Sequence, residues 1–121
     1  MEVKKVNLKD KFDSFTDHWC PKIVGELNGQ HIKVAKLKDE FVFHQHEKED
    51  EMFLVIEGKL LIELDHKTLE INAREFVIIP KGTNHKPIAV GEVKVLLFEP
   101  DTTLNTGNTE NNFTVKKLDK I

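Results

Sequence analysis

The sequence contains 121 residues, of which 39% are hydrophobic and 32% are charged, and it carries a formal net charge of -3. A chain of this length can bury one ordinary core and has no room for a second, so we expect a single domain over residues 1–121. The mild negative charge and the scattered lysines argue against nucleic-acid binding. No apolar stretch resembles a signal peptide or reaches the ~20 residues that span a bilayer, and the single Cys20 fits a reducing compartment. We therefore expect a cytoplasmic protein without membrane contacts.

Short segments bounded by turn residues dominate the chain. Apolar residues recur at helical spacing from Leu8 to Trp19, after Asn7 as a cap, which predicts an amphipathic helix over residues 7–18. The Asn28-Gly29 dipeptide is typical of two-residue turns and predicts a hairpin that begins at Lys22 and includes 31–37. Further strands are predicted at 40–46, 51–57, 59–64, 67–72, 75–79, 85–90 and 92–98. Such regularly spaced strands indicate an all-β sandwich or barrel, with a polar loop at 101–112.

Several predicted strands are apolar on both faces, as in the runs from Met52 to Ile56 and from Phe76 to Ile79. The outer face of a solvated antiparallel sheet is normally polar. Either the N-terminal helix and hairpin cover these faces, or a second copy of the chain does. We favour the second copy and predict a homodimer.

Three histidines and one glutamate are spaced so that they can converge on one metal ion. In a strand, His44 and His46 point to the same side because side chains alternate between faces. Glu51 follows a charged connection and opens an apolar run, so a hairpin would lay it beside the histidines. His85 follows another apolar run and a turn that starts at Pro80. The sequence therefore predicts a metal site formed by His44, His46, Glu51 and His85.

This pattern resembles the two motifs of the cupin superfamily, at about residues 38–58 and 74–89. The residues that carry the resemblance are His44, His46, Glu51 and Gly58 in the first motif and Pro80, Gly82 and His85 in the second. Lys38, Arg74 and Ala89 stand where the motifs have Gly, Gly and Asn. The resemblance implies a single-domain cupin jelly roll with a short N-terminal helix, which holds one divalent metal ion.

Other residues compete for parts of this site. Glu49 and Asp50 precede Glu51 and are alternative carboxylate ligands. We favour Glu51, because its distance to Gly58 is the one that the first motif requires. The remaining histidines have no such partners in the sequence, and we expect them to be hydrogen-bonded structural residues: His18, His31 and His66.

The composition also bears on the substrate. There is no tyrosine, so the Cys-Tyr crosslink and the tyrosine acid of cysteine dioxygenase-like cupins cannot form. The only arginine, Arg74, is predicted in a turn, which leaves a lysine such as Lys36 or Lys86 to bind an anion as a point charge. Four aromatic residues could line a pocket or belong to the core: Phe41, Phe43, Phe53 and Phe98.

The expected metal site is an open one, because four protein ligands around a six-coordinate ion leave two positions for water, dioxygen or a chelating substrate. Zn, Fe, Mn and Ni all suit three imidazoles and a carboxylate. We therefore predict a metal-dependent enzyme that acts on a small oxygen-bearing metabolite by dioxygenase- or isomerase-like chemistry, with Glu51 as a proton acceptor. The alternatives are a non-catalytic module that binds or senses a small ligand, and a vestigial pocket.

Overall fold

The computed structural model describes residues 2–121 and shows one helix and six strands within that range. The elements are α1 (Leu8–Asp13), β1 (Lys22–Leu27), β2 (Gln30–Glu40), β3 (Glu51–Leu64), β4 (Thr68–Asn72), β5 (Phe76–Ile79) and β6 (His85–Pro100). All pairings between these strands are antiparallel, in the order β1-β2-β6-β3-β4, and β5 pairs with β3. This confirms the predicted all-β fold with a short N-terminal helix. The described residues include no helix with the length and apolar character needed to cross a membrane.

The N-terminal helix is shorter than the predicted range 7–18. Asn7 caps it as expected, since its side-chain oxygen accepts a hydrogen bond of 3.0 Å from a backbone N–H of the first turn. The helix ends at Asp13 because the hydroxyl of Ser14 donates back to a carbonyl of the last turn. Phe12 is the buried residue of the helix, whereas Trp19 lies beyond it and joins the core with a φ of 59°.

Two pairs of predicted strands are in fact single long strands. β3 replaces the predicted strands 51–57 and 59–64, and β6 replaces 85–90 and 92–98. Gly58 does not end β3, because it takes a φ of 96° at an irregularity in the β3–β6 register and lets the strand bend. As a result, β3 pairs with β5 through its first half and with β4 through its second half.

The predicted strand over residues 40–46 is wrong. β2 ends at Glu40, next to a register irregularity at Asp39, whose φ is 63°. Beyond that point the chain runs irregularly to β3, with an isolated bridge between His44 and His85. Alternating side chains in a sequence do not reveal whether a continuous partner strand exists, and this segment bonds to the sheet only at separate points.

Five completely buried aliphatic side chains of the core lie on β3 and β6: Val55, Leu60, Ile62, Val93 and Val95. They alternate along β3 and β6 and face inward on both strands, as expected for paired strands with one buried face. Burial of these side chains supplies the apolar driving force that holds the two long strands together.

The outer face of the sheet carries an apolar patch that we define by Met52, Phe76, Ile78 and Phe98. Met52 pairs with Ile78 on one side and with Phe98 on the other, so the patch is continuous across β5, β3 and β6. Phe76 and Ile78 are 60% and 55% exposed. Helix α1 contacts β2 instead of this patch, so it does not provide the cover considered for these outer faces.

Candidate metal centre

His44 and His85 meet at the bridge that ties the segment after β2 to the start of β6. The backbone N–H of His44 donates to the carbonyl of His85 at 3.0 Å, and the N–H of His85 donates back at 2.9 Å. This exchange makes them a hydrogen-bonded antiparallel pair, in which the two residues stand directly opposite each other. The ring centroids lie 4.3 Å apart. Backbone pairing therefore brings two of the predicted ligands together.

His46 and Glu51 complete the cluster. One ligand atom from each of the four predicted residues lies within 4.8 Å of the others, and all four side chains are buried. Oε1 of Glu51 lies 3.3 Å from Nε2 of His46 and 3.4 Å from Nε2 of His85. Ligand atoms that share one metal ion at about 2.1 Å are themselves about 3.0–3.4 Å apart. The structure thus brings together His44, His46, Glu51 and His85 at spacings suited to a metal ion.

Two of the imidazole rings are oriented by backbone carbonyls. Nδ1 of His44 lies 2.9 Å from the carbonyl oxygen of Val42, and Nδ1 of His85 lies 2.9 Å from that of Thr83. Because a carbonyl can only accept, each Nδ1 carries the proton and donates it. Each Nε2 is left with a lone pair, which is the arrangement found in histidines that bind metals.

Three ligand atoms of the cluster are buried without a hydrogen-bond partner among residues 2–121: Nε2 of His46, Nε2 of His85 and Oε1 of Glu51. Leaving such a group unpaired costs roughly 1–3 kcal/mol. The carboxylate and the imidazoles are close, but they are not aligned as hydrogen bonds. A divalent cation would satisfy all three atoms at once, so the donor set fits a metal ion.

The protonation states also suit a cation. Burial, assisted by the neighbouring His85, lowers the pKa of His44 to about 4, so this ring is neutral at pH 7. Burial acts to raise the pKa of Glu51, but the adjacent His46, His85 and Glu99 outweigh burial and hold that pKa well below its ordinary value. A neutral imidazole and an ionised carboxylate are the forms that bind metals.

Comparison with known proteins assigns the family. The sequence profile of the Cupin domain matches residues 30–99, which include all four residues of the cluster. The chain belongs to the cupin family. The resemblance inferred from the two motifs is therefore confirmed.

Individual relatives agree with this assignment. A cupin-2 domain containing protein from Shewanella frigidimarina NCIMB 400 is 41% identical, with a TM-score of 0.78 over 78% of this chain and 93% of that chain. Protein NMB1881 from Neisseria meningitidis is 22% identical, with a TM-score of 0.74 over 81% of this chain and 100% of that one, which shows the fold alone. The uncharacterized protein YdbB of Bacillus subtilis (strain 168) is 38% identical over 64 residues, and the match spans 57% of its length.

A cavity adjoins the cluster inside the cupin barrel. It encloses about 30 Å³, which is roughly the room that two water molecules occupy, so a ligand can place only its metal-binding group there. His44 and Glu51 form part of the wall, and Trp19 stacks on Phe41 with ring centroids 4.5 Å apart. Phe53 lines the same cavity. Of the four phenylalanines considered from the sequence, two therefore line this cavity and also belong to the core.

The other two phenylalanines lie elsewhere. Phe43 is exposed, and Phe98 is part of the outer apolar patch. The competing carboxylates are also away from the cluster, because Glu49 accepts a hydrogen bond from the hydroxyl of Thr102 and Asp50 accepts one from the backbone N–H of Lys81.

The lysines considered as anion-binding groups have other partners. Nζ of Lys36 donates to the carbonyl of Phe15 at 2.6 Å, and Nζ of Lys86 pairs with Glu40 at 3.2 Å. Neither lysine lines the cavity. The cavity of this cupin is thus lined mainly by apolar side chains, together with carboxylates, His44 and Asn105.

Sequence reasoning missed a buried ion pair beside the cluster. Oε1 of Glu99 lies 2.7 Å from Nζ of Lys33, and each residue is 2% exposed. Glu99 lines the cavity together with Glu51. Burial and the negative charge of Glu51 raise the pKa of Glu99 well above its ordinary value, and Lys33 opposes them only in part.

A signal for this pair was present in the alternation of the strands. Glu99 continues the inward-facing series of Val93, Val95 and Leu97 on β6, and Lys33 precedes the inward-facing Ala35 on β2. A charged residue in phase with a buried series has to find a partner inside the protein. The strand register agrees with this partner. Lys33 on β2 pairs with Leu97 on β6, and Glu99 follows Leu97 by two residues on the same face of β6.

The polar loop predicted at 101–112 packs against the segment that carries the histidines. The backbone N–H of Asn108 donates to the carbonyl of Gln45 at 2.9 Å, and its side-chain oxygen accepts from the N–H of Gln45 at 3.1 Å. Gly107 has a φ of 58°, and a Cβ there would overlap the carbonyl oxygen of Gln45. Beyond the loop, the ring of Phe113 packs 5.1 Å from that of Phe41. The C-terminal segment therefore closes one side of the metal centre.

Proposed function

We propose that this cupin is a metal-dependent enzyme that acts on a small oxygen-bearing metabolite by dioxygenase- or isomerase-like chemistry. The observation that supports it is the set of three buried ligand atoms, on His46, His85 and Glu51, that lack hydrogen-bond partners in the described chain. With His44 they would hold one divalent ion, of zinc, iron, manganese or nickel. Such an ion supplies Lewis acidity and, in the case of iron or manganese, a redox centre.

The residues of the chain would contribute orientation, exclusion of water and proton transfer. The carbonyls that hold His44 and His85 would keep the two rings aimed at the same point. The apolar wall of Trp19 and Phe41 would keep bulk water away, which strengthens electrostatic interactions inside the cavity. Glu51 would act as a proton acceptor when its carboxylate loosens from the ion.

A non-catalytic function in binding or sensing a small ligand is the second candidate. It is favoured by the C-terminal segment, since the contacts of Gly107 and Asn108 with Gln45 close one side of the centre. Release of a ligand past such a cover is slow if the cover has to move. A ligand that stays bound through purification, with no turnover of it or of related compounds, would favour this function.

The first experiment is elemental analysis of protein purified without an affinity tag that binds metals. We expect about one iron, manganese, nickel or zinc ion per wild-type chain and almost none in His46→Ala. His66→Ala is the matched control, because His66 is exposed on the β3–β4 turn and should not alter the metal content. Full occupancy in His46→Ala would rule out the ligand set, and an empty wild-type protein after reconstitution would rule out a metal-dependent activity.

We also propose that the chain forms a homodimer through the outer apolar patch. Phe76 and Ile78 are more than half exposed and form a continuous surface with Met52 and Phe98. Exposed apolar surface of this kind is stabilised by burial against a partner. A two-fold axis through the patch would bury the same residues on both copies.

A further inference from the structure

We propose that Trp19 sets the size limit for ligands of the metal centre. The ligands admitted in this way are compact oxygen-bearing molecules whose substituent beside the metal-binding group is about the size of a methyl group. Ligands that carry a ring at that position are excluded. This inference rests on the proposed metal site and adds the size class of its ligand.

The cavity beside the metal centre is small, and Trp19 forms part of its wall. It encloses about 30 Å³ and is lined by two residues of the cluster, His44 and Glu51. A space of this volume accommodates about two water molecules, so a group that reaches the metal ion from this side fills it almost completely. The side chains of the wall therefore decide directly which substituents fit.

Trp19 is connected to the metal centre through one aromatic neighbour. Its ring stacks on that of Phe41 with centroids 4.5 Å apart and an interplanar angle of 17°. The ring of Phe41 in turn meets that of His44 edge-on, with centroids 5.3 Å apart. Because Trp19 and His44 line the same cavity, a ligand substituent that extends from the metal ion past Phe41 meets the indole ring.

Both the backbone and the side chain of Trp19 are held in place. Its φ of 59° lies in the left-handed region, where a bulky residue is a genuine outlier. The backbone N–H donates to the carbonyl of Lys36 at 2.9 Å, and the indole N–H donates to the carbonyl of Lys38 at 2.8 Å. Both acceptors belong to β2. Strained residues of this kind persist only where their surroundings fix them, and they are concentrated at ligand sites. The indole ring therefore presents a fixed wall to the ligand.

The part of the wall formed by strands gives no additional room. Ala35 and Leu37 lie on β2, Phe53 lies on β3 and Leu97 lies on β6, and all four are buried members of the hydrophobic core. Side chains in such a core are closely packed and do not yield to surplus atoms. Trp19, in contrast, lies on the irregular segment between α1 and β1. A substitution of Trp19 therefore changes the room beside the metal ion without removing a strand pairing.

The test compares two hydroxamic acids that bind metals through the same pair of oxygens and differ in their substituent. Acetohydroxamic acid carries a methyl group, and benzohydroxamic acid carries a phenyl ring. Both are titrated into cobalt(II)-loaded protein, and binding is followed by the visible absorption of cobalt. We expect the wild-type protein to prefer acetohydroxamic acid by about a hundredfold, because the phenyl ring overfills the cavity.

Two variants reduce the size of the side chain in steps. Trp19→Ala removes the indole ring, and Trp19→Phe keeps a smaller ring beside Phe41 and serves also where Trp19→Ala fails to fold. We expect the preference to fall to about tenfold in Trp19→Phe and to within about threefold in Trp19→Ala. A loss of stability alone would not produce this order by size. Equal binding of the two acids by the wild type, or an unchanged preference in both variants, would overturn the role of Trp19.

Phe12→Ala is the matched control for the loss of a buried aromatic ring. Phe12 is 2% exposed, but it lies on α1 and does not line the cavity. We expect this variant to lose stability as Trp19→Ala does and to keep the wild-type preference for acetohydroxamic acid. A preference that falls equally in Phe12→Ala would assign the effect to general loosening of the fold and would overturn the proposal.

Cobalt content distinguishes the possible failures. If the wild-type protein takes up no stoichiometric cobalt, the proposed metal site is wrong and the size limit falls with it. If the wild type binds cobalt and both hydroxamic acids equally well, the metal site stands and only the size limit is overturned. Loss of cobalt from both Trp19 variants would assign Trp19 to the support of His44 and would also overturn the proposal. Normal cobalt binding in the wild type and the variants, with the expected change in preference, supports it.

Discussion

His44 and His85 exchange two backbone hydrogen bonds, of 3.0 and 2.9 Å, and the Nδ1 atom of each ring contacts the carbonyl two residues before it. The two ligands are therefore positioned by their backbones and oriented by local carbonyls. Neither effect requires the ion, so this half of the site is preorganised. Preorganised donors lose little conformational entropy on binding, which favours metal affinity.

The stability of the metal-free protein should decrease as the pH falls from about 6.5 to 4. The pKa of His44 is lowered from 6.5 to about 4 in the folded chain. In this window the unfolded state binds the additional proton, so acidification favours unfolding. A shift of this size corresponds to about 3 kcal/mol at most. Urea unfolding of chelator-treated protein at several pH values measures the effect.

His44→Gln provides the comparison for this pH dependence, because two buried carboxyls titrate as well. Because the pKa of Glu51 is lowered in the folded chain, Glu51 stabilises the fold at pH values above its ordinary pKa. This contribution is lost as the pH falls below that ordinary value. The raised pKa of Glu99 contributes stability that is lost as the pH rises. Both contributions persist in His44→Gln, so the difference between the two proteins isolates His44. Equal pH dependence in both would contradict the prediction.

Gly107→Ala should destabilise the protein more than Gly29→Ala. Both glycines have positive φ values, 58° and 78°, so either substitution carries about 1 kcal/mol of backbone strain. Only at Gly107 would the added Cβ overlap the carbonyl of Gln45, while Gly29 has open space around it. We expect an additional loss of about 1–3 kcal/mol in the free energy of unfolding, measured by urea denaturation. The metal should also dissociate faster, because the segment carrying His44 and His46 is displaced.

Breaking the Lys33–Glu99 pair on one side should cost more than removing it altogether. Lys33→Met or Glu99→Leu alone leaves a buried unpaired charge and should lower the free energy of unfolding by about 3–5 kcal/mol. The double variant should lose clearly less than the sum of the two, and the coupling can be measured by a double-mutant cycle. Glu57→Gln breaks an exposed ion pair and should cost less than about 1 kcal/mol. Additive single effects would show that the pair is not energetically coupled.

Ile78→Asp should convert the proposed homodimer into a monomer. The substitution places a charge in the middle of the outer apolar patch, where a partner would have to desolvate it. Val90→Asp is a matched control, since Val90 is 54% exposed and Ile78 is 55% exposed, but Val90 lies outside the patch. Light scattering after size-exclusion chromatography gives the mass of each species. A wild-type protein that is monomeric at high concentration would exclude this dimer.

The sequence by itself determined the fold class, the family and the four residues that the structure brings together. The His44 and His46 spacing, the distance from Glu51 to Gly58 and the turn before His85 are local patterns that match the cupin motifs. The match identifies these residues even though the segment that carries His44 and His46 is not a strand. The cap at Asn7 and the turn at Asn28-Gly29 were predictable from local patterns alone.

Only the tertiary structure decided how distant segments meet. The predicted strand at 40–46 is an irregular segment because its bonding partners lie at the start of β6 and in the C-terminal loop. The pairing of Lys33 with Glu99 depends on the register of β2 against β6, and the cover at Gly107 depends on the path of the chain after β6. Alternation and spacing describe neighbours along the chain, whereas the partner of a buried charge is set by register between strands that the sequence does not state.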